Sequence, residues 1–318
     1  MVSKIDIFSG FLGAGKTMLI KSLLANKVYD ENTVIIENEF GEVGIDGSIL
    51  RERNIEIKEI NSGCICCQVT GNFIESVLEI IEKYNPKNII IEPSGVAKLS
   101  EILNILNKDE YKEKFLINRI ITVIDAQRYD MYLNNFDEFY KDQIKKAKVL
   151  VFSRTELVSK EELQKAMSSI RKINSTAKIV SKSLLDIDIK EINKIVLVDN
   201  AALSNKNEFI INKIAKHATF RKEHNHSAKD VFESYPIDLN SKTSEAELES
   251  KFRIIEQNKQ YGNVIRAKGI VEVINGEYYQ FDYVPNEFQG RKIKWANKKV
   301  ISIIGSNLNK KELIRLFS

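Results

Sequence analysis

Long apolar runs are missing from this sequence, and so is any strong imbalance of charge. No stretch approaches the roughly 20 apolar residues that a bilayer-crossing helix needs, which argues against a helical membrane protein. Lysine and arginine number 48 against 44 aspartates and glutamates, a formal net charge of +4. So small an excess leaves no electrostatic footprint for nucleic acid or a membrane surface, and neither is expected as a partner. Met1-Val2-Ser3-Lys4 runs at once into Ile5-Asp6-Ile7-Phe8, leaving no room for a signal peptide. A cytoplasmic location, where thiols stay reduced, is expected. Internal repeats and low-complexity tracts are absent too. Cysteine is scarce: the three present all lie in Cys64-Ile65-Cys66-Cys67. A disulfide framework would scatter them, so this clustering favours a metal or redox role.

What the chain does contain is an alternation of apolar runs and helical patterns through its first half. Strands are expected at Lys4–Phe8, Thr33–Glu37, Asn88–Glu92, Arg119–Asp125, Ala147–Ser153 and Lys178–Ser181. Helices are expected at Met18–Asn26, Asn72–Tyr84, Phe136–Lys146 and Lys160–Ile173. This order predicts an α/β fold, a mostly parallel sheet with helices on both faces. A polar stretch follows, holding His217, His224 and His226. Beyond it the pattern changes to strand Val231–Leu239, helix Ser244–Gln257, strands Val264–Ile274 and Tyr278–Val284, strand Lys299–Ile304 and helix Lys310–Phe317. Asn275-Gly276 is a hairpin signal. The division expected is a nucleotide-binding domain over 1–205, a polar linker over 206–230 and a small α+β domain over 231–318.

Gly10-Phe11-Leu12-Gly13-Ala14-Gly15-Lys16-Thr17 fits G-x-x-x-x-G-K-[ST] between an expected strand and an expected helix, the context that raises it above a chance glycine-rich turn. Such a loop turns backbone N–H groups onto phosphate oxygens, and the following helix adds its positive dipole end. Lys16 is assigned to the β- and γ-phosphates and Thr17 to Mg²⁺. Gly10, Gly13, Ala14, Gly15 and Met18 complete the candidate nucleotide contacts. Ile89-Ile90-Ile91-Glu92-Pro93-Ser94-Gly95 is the companion acidic motif. Glu92, at a strand end, suits an outer Mg²⁺ ligand or a water-positioning acid, and Gly95 suits a backbone N–H sensing the γ-phosphate. Taken alone, the same residues read equally well as a solvated glutamate and a turn.

Cys64, Cys66 and Cys67 lie between this motif and the segment Glu37–Asp46, which is rich in carboxylate and glycine. Thiolates at this density suit Zn²⁺ or another thiophilic divalent ion, and three of them leave one tetrahedral position open for release. Glu39 and Glu42 are candidates for an additional ligand. The plain alternative is three small buried residues, since free cysteine packs well in cores. His224-Asn225-His226 is compatible with transient metal binding, and equally with solvated histidines of a polar linker.

On Gly10–Thr17, Asn38–Asp46, Gly63-Cys64-Ile65-Cys66-Cys67, Glu92–Gly95, Val123-Ile124-Asp125-Ala126, Val264–Gly269 and Ile303–Leu308, the sequence resembles the CobW-type branch of the P-loop GTPases. That branch is similar to the nickel-enzyme maturation GTPases of urease and hydrogenase. The resemblance implies a metal-handling GTPase that uses GTP, Mg²⁺ and Zn²⁺, binds the metal at Cys64, Cys66 and Cys67, and delivers it to a client metalloprotein. Glu92, Glu39 and Asp46 would link metal and nucleotide. The family's guanine-reading N-K-x-D stands here as Ser153-Arg154-Thr155-Glu156, which keeps a carboxylate at Glu156 but loses the amide, so guanine preference is expected in weakened form. Hydrolysis is expected to be slow unaided. The alternatives are a nucleotide-dependent activator of a corrinoid or other metalloenzyme, and a non-catalytic nucleotide-binding adaptor with structural cysteines. A monomer or a homodimer fits any of these readings.

Overall fold

The computed structural model describes residues 2–37, 56–59, 70–182, 228–239, 242–274, 276–296 and 299–317. Its first sheet has seven strands: β1 (Ser3–Gly10), β2 (Thr33–Glu37), β3 (Glu56–Glu59), β4 (Asn88–Glu92), β5 (Phe115–Asp125), β6 (Val149–Ser153) and β7 (Lys178–Val180). They lie in the order β3-β2-β4-β1-β5-β6-β7, and every pairing is parallel. Strands such as Ile89-Ile90-Ile91 are apolar at every position because both faces of the sheet are covered. Ile5, Ile7, Ile36, Ile89 and Ile91 pack with α2 (Thr70–Tyr84) and α3 (Leu99–Leu106) on one face. Phe8, Ile35, Ile90 and Val123 pack with α1 (Lys16–Ala25) on the other.

Helices α4 (Tyr129–Asn135), α5 (Asp137–Lys146) and α6 (Lys160–Ile173) complete the layer beside β5–β7. α6 begins where the sequence placed it because Ser159 accepts from the Glu162 N–H while Glu162 reaches back to the Ser159 N–H. Elements the sequence reading passed over are short ones, namely β3, α3, α4 and one C-terminal strand.

The second half begins with α7 (Ala228–Val231) and β8 (Glu233–Asp238), so the strand expected from Val231 starts two residues later, after a helical turn. The reason is packing. Ala228 and Phe232 are buried in the first domain's core, where the Phe232 ring lies 5.0 Å from Phe139, 5.3 Å from Phe136 and 6.0 Å from Phe11. After β8 come α8 (Glu245–Gln257), β9 (Asn263–Glu272), β10 (Tyr278–Val284), β11 (Glu287–Ile293), β12 (Val300–Ser306) and α9 (Lys310–Phe317). The five strands form an antiparallel sheet in the order β11-β10-β9-β12-β8. One face packs on α8 and α9 through Phe252, Phe281, Tyr283, Leu313 and Phe317, with Phe252 stacked on Tyr283 at 4.3 Å. The other face of β9–β11 is polar and turns toward the first domain. Among the described residues no helix is long and apolar enough to cross a membrane.

Phe232 therefore staples the start of the second half to the first. Phe232→Ala is expected to cost about 3–5 kcal/mol by opening a cavity among three aromatic rings. A lowered midpoint in chemical denaturation would check this, and an unchanged midpoint would contradict it.

Candidate functional site

Strand β1 delivers the phosphate loop at the C-terminal edge of the parallel sheet, next to the end of β4, where the strand order reverses about β1. This is where open α/β sheets bind ligands. Gly15 caps α1 with a left-handed backbone, and Gly13 has φ +68°, a backbone that lets the loop curl tightly before the helix. Lys16 is buried, and its ammonium donates to the carbonyls of Gly10 (3.1 Å) and Phe11 (3.4 Å), folding back over the loop it follows. Thr17 donates its hydroxyl to the Glu92 carboxylate, 2.9 Å from Oε1 and 3.1 Å from Oε2. A hydroxyl and a carboxylate in contact beside the amide-lined loop are the hard oxygen donors Mg²⁺ takes. The residues present thus fit both a polyphosphate and its magnesium ion.

Gly95 lies against the loop so closely that a Cβ there would sit 2.6 Å from the Leu12 nitrogen. Its carbonyl is held by Gln143 Nε2 at 3.0 Å, which keeps the Glu92–Gly95 turn level with the loop. β2, β3 and β4 end together: Glu37 is in register with Glu92 on one side and with Glu59 on the other. Glu37 is buried at that edge. Glu39, Glu42, Asp46, Cys64, Cys66 and Cys67 lie outside the described residues, as do His217, His224 and His226. Among the described residues no group of three or more His, Cys, Asp and Glu is placed to hold a metal ion.

Ser153-Arg154-Thr155-Glu156 follows β6. Ser153 donates to the Ala14 carbonyl at 2.7 Å, tying this segment to the phosphate loop. Arg154 has a left-handed backbone, φ +54°, and its guanidinium is engaged on three sides. It donates to the Gly13 carbonyl (2.9 Å) and Asp125 Oδ2 (3.1 Å), and it grips Glu287 on β11, 2.9 Å from Nε to Oε2 and 3.2 Å from Nη2 to Oε1. Glu156 is exposed on a short 3-10 turn and does not line the phosphate cleft.

Sequence reasoning missed the partners of Arg154. Asp125, wholly buried, accepts from Arg128 Nη1 at 2.7 Å, and Arg128 also donates to Glu287 Oε2 (3.1 Å) and the Pro285 carbonyl (2.8 Å). Burial alone would lower the Arg128 guanidinium, but the charge and hydrogen bond of Asp125, together with the charges of Tyr132 and Glu287, outweigh it and raise it. Burial likewise favours the neutral Glu287 carboxyl, yet Arg154 and Arg128 hold it below its ordinary value. The signal available was a D-A-x-R run after a strand; nothing local announced a partner more than 150 residues away. The cleft so formed, of about 350 Å³, is lined by Gly13–Met18, Glu92 and Arg154 from one half, and by Arg266, Lys268, Asp282 and Arg291 among others from the second.

A model of the CobW/HypB/UreG nucleotide-binding domain matches residues 4–181, more than half of the chain. The zinc chaperone YjiA of Escherichia coli is similar at 28% identity over 244 residues, covering 74% of this chain and 73% of that protein. The zinc chaperone CobW of a Sinorhizobium species is 26% identical over 299 residues, covering 84% and 80%. Zinc-regulated GTPase metalloprotein activator 1 of Schizosaccharomyces pombe is 33% identical over 211 residues, covering 63% and 51%.

Glu287→Gln removes the negative charge shared by Arg128 and Arg154 while keeping its shape. A loss of about 2–3 kcal/mol is expected at neutral pH. Because the folded carboxyl titrates below its ordinary 4.5, its contribution is full above that value and fades as pH falls through the lower, folded one. The gap between wild type and variant in denaturant midpoint should therefore narrow as pH falls below 4.5 and close once the folded carboxyl is protonated. A gap that stayed constant into acid would refute the ionic role of Glu287.

Proposed function

The chain belongs to the CobW/HypB/UreG family, and from that premise we propose that it is a GTP-hydrolysing metallochaperone that carries Zn²⁺ or a related ion to a client metalloprotein. The names of its relatives support zinc as the cargo and GTP as the nucleotide. A reducing cytoplasm, where Cys64, Cys66 and Cys67 remain thiols, suits such a carrier.

The observation that carries this reading is the common edge of β3, β2 and β4. The chain leaves β2 at Glu37 into the carboxylate-rich segment and leaves β3 at Glu59 toward Cys64, both in one register row with Glu92. At the usual strand spacing the row spans only about 10 Å. Segments bearing Glu39, Glu42, Asp46 and the three thiols thus depart beside the acid that faces the γ-phosphate position.

In this proposal the loop amides from Gly13 to Thr17 and the Lys16 ammonium hold the phosphates, while Thr17 and Glu92 hold Mg²⁺. Bound magnesium supplies positive charge against the phosphate oxygens as negative charge moves during transfer. Lys16 exchanges the Gly10 and Phe11 carbonyls for phosphate oxygens. The Gly95 N–H reports whether a γ-phosphate is present, and with Glu92 passes that difference to the neighbouring strand ends. Ser153, Arg154 and Glu156 flank the base, with the Glu156 carboxylate accepting from guanine.

Zinc affinity of the apo, GTP-bound and GDP-bound chain, prepared anaerobically, tests the coupling. Affinities at least about tenfold apart between the two nucleotide states are expected, a coupling of about 1.4 kcal/mol. Cys66→Ser should abolish the difference and leave GTP binding intact. Equal zinc affinity in all three states would sink the switch, and a clear preference for ATP in competition would sink the guanine assignment.

A further inference from the structure

The chain leaves β4 at Glu92 into a connection that is buried throughout residues 93–99. Loops usually run over the surface, because buried backbone must find its hydrogen bonds inside the protein. Part of that need is met locally, where the Ala97 N–H donates to the Ser94 carbonyl at 3.0 Å and closes a turn. The carbonyls of Gly95 and Ala97 are met from α5. Both accept from one side chain, Gln143, whose Nε2 lies 3.0 Å from the first and 2.9 Å from the second.

Gln143 has no exposure to water. Its own carbonyl accepts from the Thr122 hydroxyl at 3.0 Å, and Thr122 stands in register with Ser9 on β1, one residue before the phosphate loop opens at Gly10. The clamp on Gly95 is thus anchored to the strand pair that delivers the loop. Neighbours on α5 hold the rest of the connection. Asp142 accepts from the Ser100 N–H at 2.9 Å, and Glu138 pairs with the buried Lys98, whose ammonium also lies 5.2 Å from the Phe139 ring. Of these three, Gln143 holds the glycine itself.

Packing alone does not select this side chain. A wholly buried amide is costly unless both of its ends are bonded, and Oε1 of Gln143 has no hydrogen-bond partner among the described residues. Methionine would fill nearly the same volume without that cost. What methionine lacks is the pair of donated hydrogen bonds, and one of them falls on the glycine that touches the phosphate loop. Gly95 lies so close to Leu12 that a Cβ on it would sit 2.6 Å from the Leu12 nitrogen. That closeness demands a glycine, and glycine is the residue with the widest backbone freedom. Without its anchor Gly95 is free to turn about both of its dihedrals.

We propose that Gln143 is a positioning residue for recognition of the γ-phosphate: by holding the Gly95 carbonyl it fixes how Gly95 is turned against Leu12, and so where the Gly95 N–H is aimed. It acts through Gly95 and not by contact with the nucleotide. The inference rests on the reading that the Gly95 N–H meets the γ-phosphate of bound GTP. A residue acting in this way sets the preference between triphosphate and diphosphate, since GDP presents nothing at that position.

The test measures GTP and GDP dissociation constants of the full chain, and its hydrolysis rate at saturating GTP, for wild type, Gln143→Met, Gln143→Asn and Asp142→Ala. Gln143→Met removes both donated hydrogen bonds at nearly constant volume. It is expected to weaken GTP about tenfold, to change GDP less than about twofold, and to slow hydrolysis about tenfold. Asp142→Ala releases the Ser100 N–H one residue away on α5 and should leave the ratio of GTP to GDP affinity at its wild-type value. That control separates the aiming of Gly95 from a general loosening of α5. Should Gln143→Met fail to fold, Gln143→Asn decides on the same ratio, since it keeps a buried amide but is one methylene short of the two carbonyls. An unchanged ratio in the Gln143 variants, or an equal fall with Asp142→Ala, overturns the role of Gln143 and leaves GTP binding standing. A wild-type chain that binds no GTP overturns the proposed function, and this inference with it.

Discussion

A carboxylate with no exposure to water, Asp125, sits between two guanidiniums, and much of the molecule follows from satisfying that group. Burying one arginine against one aspartate is close to break-even, because desolvation consumes most of the attraction. The arrangement is tolerable only when the remaining donors are used. Arg128 and Arg154 use theirs on Glu287, the Pro285 carbonyl and the Gly13 carbonyl, two of which come from the second domain. Neither half can satisfy the cluster by itself. The C-terminal sheet is thereby locked in one orientation, with its polar face on the phosphate loop.

That orientation compresses the site from two sides. The Glu92–Gly95 turn presses on Leu12 from the first domain, and Val284 presses on Gly13 from the second. Both contacts need a residue without a side chain, so Gly13 in the loop and Gly95 in the turn beside it serve close packing. A loop held this way has little freedom to adapt to a ligand, and a preorganised loop loses little entropy when one arrives. The same rigidity makes any change at the γ-phosphate position felt at both walls, because packed interfaces shift between discrete arrangements and do not deform smoothly.

The parallel sheet was legible because its strands are apolar throughout and its loop motif has fixed spacing. Thr33–Glu37 and Asn88–Glu92 have the bounds that their apolar runs suggested, and Lys160–Ile173 is set by its Ser159 capping box. Some short elements were not legible. β3 has four residues and α4 seven, too few for either periodicity to rise above composition. α3, though strongly apolar on one side, spans only eight residues after a proline-containing turn. Val231 was read as strand from its apolar neighbours, but tertiary contacts of Ala228 and Phe232 with the first core impose a helical turn there. In the site, Lys16, Thr17, Glu92 and Gly95 were readable as local motifs. The role of Arg154 was not, since it depends on Glu287, 133 residues further along the chain, and only folding brings them together.

The consequence for switching lies in how the two walls differ. The wall formed by β4 ends in Glu92 and adjoins β2 and β3, from which the carboxylate and thiol segments depart. In the function proposed above, loss of a γ-phosphate would reach these strand ends through Glu92, the acid to which Thr17 donates. The wall formed by β9–β11 carries Arg266, Lys268 and Arg291 together with Asp282 and Glu287, and it is tied to the loop side through Arg128 and Arg154. A ligand shifts such an equilibrium only by its differential affinity for the two arrangements.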